Sequence, residues 1–403
     1  MVDLERWSQI GGGAAIATSA PELPQETIVP RVLVIDDDPE IHRLLRARLE
    51  ARGYKVSFAA SGEEGLAHLR DVNPDLIFLD VAMSGMTGID VLDYVRSQRL
   101  DVAVILTTAY SSEQVAIAAL RHGADDYLRK PFDRGEFQAT LDRTLARLTM
   151  SRQIKALRRE LEKKQSQLAQ EIARAAAVQA ELLPTEQPTL SGFEIGARCI
   201  PASAVGGDFY DWQQLARGAL SITVGDVMGK GMSAALLMAT VRAVIRAMAA
   251  EHGPAAAVRQ TAAALDDDLA RSGSFVTLFH AQLNIETAEL RYVDAGHGQV
   301  FLRRGNGVIE KLPPWGLPLG VASTEDYHEG SVTLGDGDLL VIYSDGLSEA
   351  RPDLFRDNAM LAAQIPENEP ATETAQRLVE LATSAGPLPD DLTVVAVRRA
   401  TIV

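Results

Sequence analysis

The 403-residue chain carries 55 Asp and Glu against 39 Lys and Arg, a formal net charge of −16, and one cysteine. The length favours two or three domains, each able to bury a core, and the acidic balance argues against non-specific binding to nucleic acid or to anionic membranes. Lone Cys199 excludes an internal disulfide and fits a cytoplasmic location, and no uninterrupted apolar run approaches the ~18 residues of a membrane span.

Residues 1–29 are rich in Gly, Ala, Ser and Pro, show no periodicity and lack a signal-peptide layout, so a disordered leader is expected. From Arg31 the pattern alternates. Val32 to Ile35 is a short apolar run ending in Asp36-Asp37-Asp38; Pro39 then opens a helix capped by Asp38, with Ile41, Leu44, Leu45 and Leu49 on one face. Further strands are expected at 56–58, 76–79, 102–106 and 127–129, with helices at 62–70 and about 113–121. Five short strands separated by helices predict an α/β domain, a doubly wound five-stranded parallel sheet with its site at the strand C-terminal ends.

The groups at those ends are Asp36, Asp37, Asp80, Thr108 and Lys130, the last followed by Pro131-Phe132. This set resembles a response-regulator receiver domain over residues 30–147. The resemblance implies that Asp80 accepts a phosphoryl group from a histidine kinase or small phosphodonor. It also implies that Asp36, Asp37 and Asp80 hold Mg²⁺, with Asp37 a direct ligand. Thr108 and Lys130 would then engage the phosphoryl oxygens, and Tyr127 would be the aromatic that reports the phosphorylated state. The chemistry is self-consistent, because a carboxylate nucleophile needs offsetting cations around the attacked phosphorus. One departure is Ser84, where receivers usually carry proline.

A long helix is expected over about 138–183. Ile154, Leu161, Leu168, Ala175 and Leu182 recur every seven residues, with Leu157 and Val178 between them and Lys164 and Glu171 interrupting the seam. Residues 148–184 are therefore expected to form a helical linker, a dimeric coiled coil that ends at Leu183-Pro184. A solvated connector is the plainer alternative.

Residues 185–403 alternate differently. Strand-like runs at 193–200, 220–224, 275–284, 289–293, 339–343 and 393–397, with two helices at about 233–250 and 255–270, predict an α+β domain. Four aspartates stand at the ends of apolar runs, in Gly206-Gly207-Asp208-Phe209, Gly225-Asp226-Val227-Met228-Gly229-Lys230-Gly231, Ser344-Asp345-Gly346 and Asp390-Asp391-Leu392-Thr393. Carboxylates brought together repel unless a cation lies between them, and hard oxygen ligands suit Mg²⁺ or Mn²⁺.

Their order and settings resemble the PPM-type serine/threonine phosphatases, in particular the SpoIIE/RsbU branch. The resemblance implies an αββα sandwich and two Mn²⁺ or Mg²⁺ ions. Asp226 and the backbone carbonyl of Val227 would bridge the ions, Asp208, Asp345 and Asp390 would complete the centre, and Asp391 would be an adjacent candidate. Gly316-Leu317-Pro318-Leu319-Gly320 fits the loop that precedes the Ser344-Asp345-Gly346 strand. After Asp294-Ala295-Gly296-His297 the chain departs from the family with Gly298-Gln299-Val300. His297 reads as a turn residue or a group near the leaving group, Lys230 as a surface lysine or a phosphate contact, and Asp211 as a turn cap.

The reading that follows is a receiver whose phosphorylation controls a metal-dependent phosphatase, relayed through a homodimeric linker. The substrate implied by the resemblance is phosphoserine or phosphothreonine on a STAS-type anti-sigma-factor antagonist. The alternative is a non-enzymatic adaptor that sequesters a partner. Gly206-Gly207-Asp208-Phe209 also resembles the diguanylate cyclase GGDEF signature, but the glutamate is missing and the other three aspartates would stand unexplained. No basic helix-turn-helix output is present to bind DNA.

Overall fold

The computed structural model describes residues 29–109, 120–313, 315–322 and 326–400. The expected leader and most of the expected 113–121 helix lie outside the described residues. The chain divides into two compact units after Glu162.

In the first unit, β1 (Arg31–Ile35), β2 (Lys55–Ala59), β3 (Leu76–Asp80), β4 (Ala103–Thr108) and β5 (Asp126–Arg129) form one parallel sheet in the order β2-β1-β3-β4-β5. β3 and β4 are buried along their whole length, as expected of central strands covered on both faces. Leu33, Ile35, Ile77 and Leu79 pack with Val91, Leu92 and Val95 of α3 (Gly88–Ser97). Val32, Val34, Phe78 and Ile105 face the other way, onto Leu45 and Leu49 of α1 (Pro39–Glu50) and Phe137 and Leu141 of α4 (Arg134–Leu182). α2 (Gly62–Val72) completes the unit. The α1 start is as the sequence predicts: Asp38 accepts from the Glu40 amide at 2.8 Å and Pro39 occupies the first turn.

The last receiver helix and the expected linker are one continuous element, α4. Arg152 pairs with Asp75 and Asp101, and Lys155 with Asp101, so α4 is still tied to the receiver sheet's loops at that point. Ile154, Leu157, Leu161, Leu168 and Val178 are all exposed.

The second unit holds two mostly antiparallel sheets. One joins β7 (Phe209–Gln214), β8 (Ala219–Val227), β9 (Val276–Asn284), β10 (Glu289–Ala295) and β13 (Trp315–Gly316), with β14 (Gly330–Thr333) beside β10. The other runs β12 (Ile309–Glu310), β11 (Val300–Arg303), β15 (Leu339–Tyr343), β16 (Leu392–Arg399), β6 (Phe193–Ile200). Their inner faces share one core, in which Val224, Phe279 and Leu290 meet Ile195, Leu340 and Val395. α5 (Met232–Glu251) and α6 (Pro254–Ser272) cover the outer face of the first sheet. α7 (Asp345–Ala350), α8 (Pro352–Phe355), α9 (Asn358–Ala363) and α10 (Ala371–Thr383) cover the second. The order helix, sheet, sheet, helix is the expected αββα sandwich.

α5 is long and apolar enough to cross a membrane by length and composition alone. Here Ala234, Met238, Val241 and Ile245 are buried against the sheet, while Met232 and Leu236 are exposed, so one face of α5 packs as a core helix does.

Candidate active site

The receiver carboxylates converge as strand topology requires. β1 and β3 are neighbours, so Asp36 and Asp80 leave the sheet side by side, and oxygens of Asp36, Asp37 and Asp80 lie within 4.8 Å of one another. Among the described residues they are the one group of at least three potential ligands this close. Asp36 and Asp80 are buried while Asp37 is exposed, so the cluster opens to solvent through Asp37. Lys130 Nζ lies 2.7 Å from Asp36 and 3.1 Å from Asp80. Burial holds Asp80 above the ordinary carboxylate range despite Lys130. Burial works to lower Lys130, but Asp36 and then Asp80 carry it above its usual value. Three acids with one ammonium leave a negative surplus, and their close spacing fits a divalent ion with oxygen ligands.

Backbone contacts set the floor of this site. The Lys130 amide donates to the Thr108 carbonyl at 2.7 Å, which places Lys130 beside the buried end of β4. A Cβ on Gly88 would sit 2.1 Å from the Asp80 carbonyl oxygen, so only glycine lets α3 start this close to Asp80. Tyr127 on β5 is exposed. The loop around Ser84 is held by Glu63, which accepts from the Met86 amide.

In the second unit, the four aspartates meet at one end of the two sheets. Asp208 precedes β7, whose Phe209 pairs with Gly225 of β8, next to Asp226. Asp345 follows β15 and Asp390 precedes β16, where Tyr343 pairs with Val394. Their charges act on one another. Burial, then Asp345, Asp390 and Asp391, push Asp226 up to about 7. Burial, then Asp226, raises Asp208 well above the carboxylate range, and burial, then Asp390, raises Asp345. Asp208 Oδ2 is buried without a hydrogen-bond partner. An orphaned buried carboxylate oxygen among mutually repelling acids fits a bound divalent cation. These carboxylates are spread more widely than the receiver trio. The Val227 carbonyl faces the same loop, only 2.5 Å from where a Gly207 Cβ would stand.

The residues around this cluster have distinct jobs. Asp391 is buried, and both its oxygens are occupied by backbone: Oδ1 accepts from Ala202 at 2.8 Å and Oδ2 from Gly207 at 2.6 Å. It fastens the loop that carries Asp208. Ser344 Oγ donates to the Asp391 carbonyl and accepts from the Thr393 amide, joining β15 to β16. Lys230 is exposed yet pairs with Asp390 at 2.9 Å and donates to the Pro389 carbonyl.

Asp211 is not a turn cap. It is buried within β7 and receives Arg246 at 2.7 Å and Arg242 at 3.1 Å, an ion pair that clamps α5 to the sheet. His297 is buried in a turn fastened by Asp294, which accepts from the His297 and Gly298 amides. Burial lowers His297 to about 4. Leu319 exchanges two backbone hydrogen bonds with Val276, so the Gly316–Gly320 loop is anchored beside the strand that pairs with Asp226.

Gln179 is a contact that sequence reading did not single out. Its Nε2 donates to the Gly206 carbonyl at 2.7 Å and its Oε1 accepts from the Gly206 amide at 3.1 Å. The end of α4 thereby grips the peptide two residues before Asp208. A polar residue just before Leu182-Leu183-Pro184 was the available signal, but a glutamine on a charged helix ordinarily reads as surface.

The family model of Stage II sporulation protein E (SpoIIE) matches residues 216–400, and that of the response regulator receiver domain matches residues 32–142. Phosphoserine phosphatase RsbU of Bacillus subtilis is 30% identical over 246 residues, covering 58% of this chain and 72% of RsbU. Regulatory protein AtoC of Escherichia coli is 35% identical over 135 residues; the match covers 34% of this chain and spans only 29% of AtoC. The SiaA-PP2C domain of Pseudomonas aeruginosa superposes with a TM-score of 0.48 at 22% identity, over 58% of this chain and 98% of that one.

Proposed function

Because the chain belongs to the SpoIIE/RsbU family of PPM-type phosphatases and carries a response-regulator receiver domain, we propose that it is a receiver-controlled, metal-dependent protein phosphatase acting on phosphoserine or phosphothreonine. The observation that carries this reading is the convergence of Asp208, Asp226, Asp345 and Asp390, with Asp226 pushed up to about 7 by burial and its neighbours.

Asp226, the Val227 carbonyl, Asp208, Asp345 and Asp390 are the residues that would hold two Mg²⁺ or Mn²⁺ ions. When bound, such a pair supplies an activated water and charge stabilisation for in-line hydrolysis of a phosphomonoester. Asp391, Gln179 and Ser344 position this set through the backbone rather than touching substrate. Lys230, exposed at the rim beside Asp390, is placed to attract an anionic substrate. The substrate class proposed is a phosphorylated STAS-type anti-sigma-factor antagonist.

In the receiver, Asp80 is the residue proposed to accept a phosphoryl group from a histidine kinase or small phosphodonor. Lys130 and Thr108 would contact it, Asp36 and Asp37 would hold Mg²⁺, and Tyr127 would report the change. Ile154, Leu161 and Leu168, exposed at seven-residue spacing on α4, support pairing with a second copy in a cytoplasmic homodimer, through which the receiver state reaches α5, the helix that follows Asp226.

The test is Mn²⁺-dependent hydrolysis of p-nitrophenyl phosphate by the full chain, beside Mn²⁺ binding by calorimetry. Asp226→Ala should abolish turnover and weaken Mn²⁺ binding while leaving the melting profile cooperative. Metal binding without turnover towards this ester or a phosphorylated STAS protein would favour the adaptor reading instead.

A further inference from the structure

The two rims of the four-aspartate site differ in chemistry. On the side of the second sheet stand Lys230, paired with Asp390, and Glu349, whose charge acts on Lys230. On the side of the first sheet the rim is made by three segments, 227–229, 272–278 and 315–322. None of their residues is charged, although 23% of the chain is.

Backbone pairing holds these segments together beside the metal-site residues. Asp226 and Val227 pair with Thr277 and Val276 across β8 and β9, and the Met228 amide donates to the Phe275 carbonyl at 3.0 Å. Val276 and Leu319 exchange two backbone hydrogen bonds of 2.9 Å. Leu319 therefore stands two strand spacings from Val227, about 10 Å. The chain turns at this point: the Val321 amide donates to the Pro318 carbonyl at 3.3 Å, and Gly320 lies against Leu269 of α6.

The apolar residues of the three segments divide into two sets. Val227, Val276, Leu278 and Leu319 are buried and already fill the core under α5 and α6. Leu317 and Val321, at the two ends of the turn, are 45% and 52% exposed; Met228 is 40% exposed and Phe275 half-buried. Large apolar side chains scattered singly over a surface need no explanation. These are carried by segments bonded to one another at the edge of a site, which is where an apolar surface marks a partner.

We infer that this rim is the substrate-docking surface of the phosphatase unit. It takes a phosphoserine or phosphothreonine segment with apolar side chains about three residues from the phosphorylated one. The occupant follows from position, because a phosphate delivered to the four aspartates brings its own chain over whatever borders them. An extended segment advances about 3.3 Å per residue, so the ~10 Å from Val227 to Leu319 is about three residues. A charged recognition motif would find no counter-ion on this side. The inference rests on the phosphatase reading above.

The experiment compares kcat/KM of the full chain, with Mn²⁺, towards two synthetic peptides and p-nitrophenyl phosphate. Both peptides carry a central phosphoserine; one has leucine and the other serine at the second and third positions on each side. The wild type should prefer the leucine peptide by about tenfold or more, since each leucine half-buried on the rim is worth a factor of about five. In Leu317→Ser with Val321→Ser that preference should fall to within about threefold of unity, and as a ratio it cancels any general loss of activity. Leu317→Met with Val321→Ile should retain it. Equal kcat/KM for the two peptides, or hydrolysis of p-nitrophenyl phosphate alone, would overturn the inference and leave the phosphatase reading standing. A preference undiminished in the double serine variant would overturn it as well. Hydrolysis of none of the three would overturn both.

Discussion

Gln179→Ala isolates the contact through which α4 holds the loop that carries Asp208. The substitution removes two hydrogen bonds, from Gln179 Nε2 to the Gly206 carbonyl and from the Gly206 amide to Gln179 Oε1. Gly206 is buried, so its peptide groups are slow to find water instead. At about 1 kcal/mol net per bond, the ordered loop loses about 2 kcal/mol. If the loop must be ordered for Asp208 to ligate, apparent metal affinity falls with the ordered fraction, by up to about 30-fold. Asp391 still accepts from the Gly207 amide at 2.6 Å, so the loop is loosened rather than released. The assay is Mn²⁺ titration calorimetry on the full chain, with a thermal melt alongside. Gln179→Glu keeps the acceptor for the Gly206 amide, loses the donor and adds a charge. Mn²⁺ affinity in Gln179→Ala within about twofold of wild type, with the same melt, would refute the coupling of α4 to this loop.

Asp211→Ala should destabilise the phosphatase unit by about 3 kcal/mol, because it leaves the half-buried Arg242 beside an empty partner site while Arg246 can turn to solvent; urea unfolding measures this, and a change under about 1 kcal/mol would show the clamp idle. His280 is fully buried with Nδ1 against Thr223, and burial lowers it from 6.5 to about 4. A histidine whose folded value is depressed is held neutral by the fold, so its contribution is present above pH 6.5 and is lost as pH falls towards 4. The stability difference between wild type and His280→Gln should therefore shift by about 3 kcal/mol against the wild type between pH 7 and pH 4. Parallel pH profiles for the two proteins would contradict that assignment.

Much of both folds was legible because their strands obey simple burial rules. β3 and β4 of the receiver read as unbroken apolar runs because helices cover both faces, and the aspartates at strand ends were visible as breaks in those runs. The sandwich was harder to read, since short strands such as β12, β13 and β14 carry no periodicity of their own. The contacts that hold the site in shape were not legible at all. Asp391 reaches Ala202 and Gly207 across more than 180 residues, and Asp211 meets Arg242 and Arg246 only when α5 lies on β7. Neither pairing leaves a local trace. The same holds for Arg398, which ends β16 as one of two adjacent arginines, and only the packing of α9 and α10 shows which one is buried.

If the state of Asp80 sets the rate at the four-aspartate site, Mn²⁺-dependent hydrolysis by the full chain with and without beryllofluoride, in wild type and in Asp80→Asn, reads it most directly. Beryllofluoride should change the rate several-fold in the wild type and not at all in Asp80→Asn, with equal Mn²⁺ affinities. Equal rates with and without beryllofluoride in the wild type, or the same change in Asp80→Asn, would contradict it.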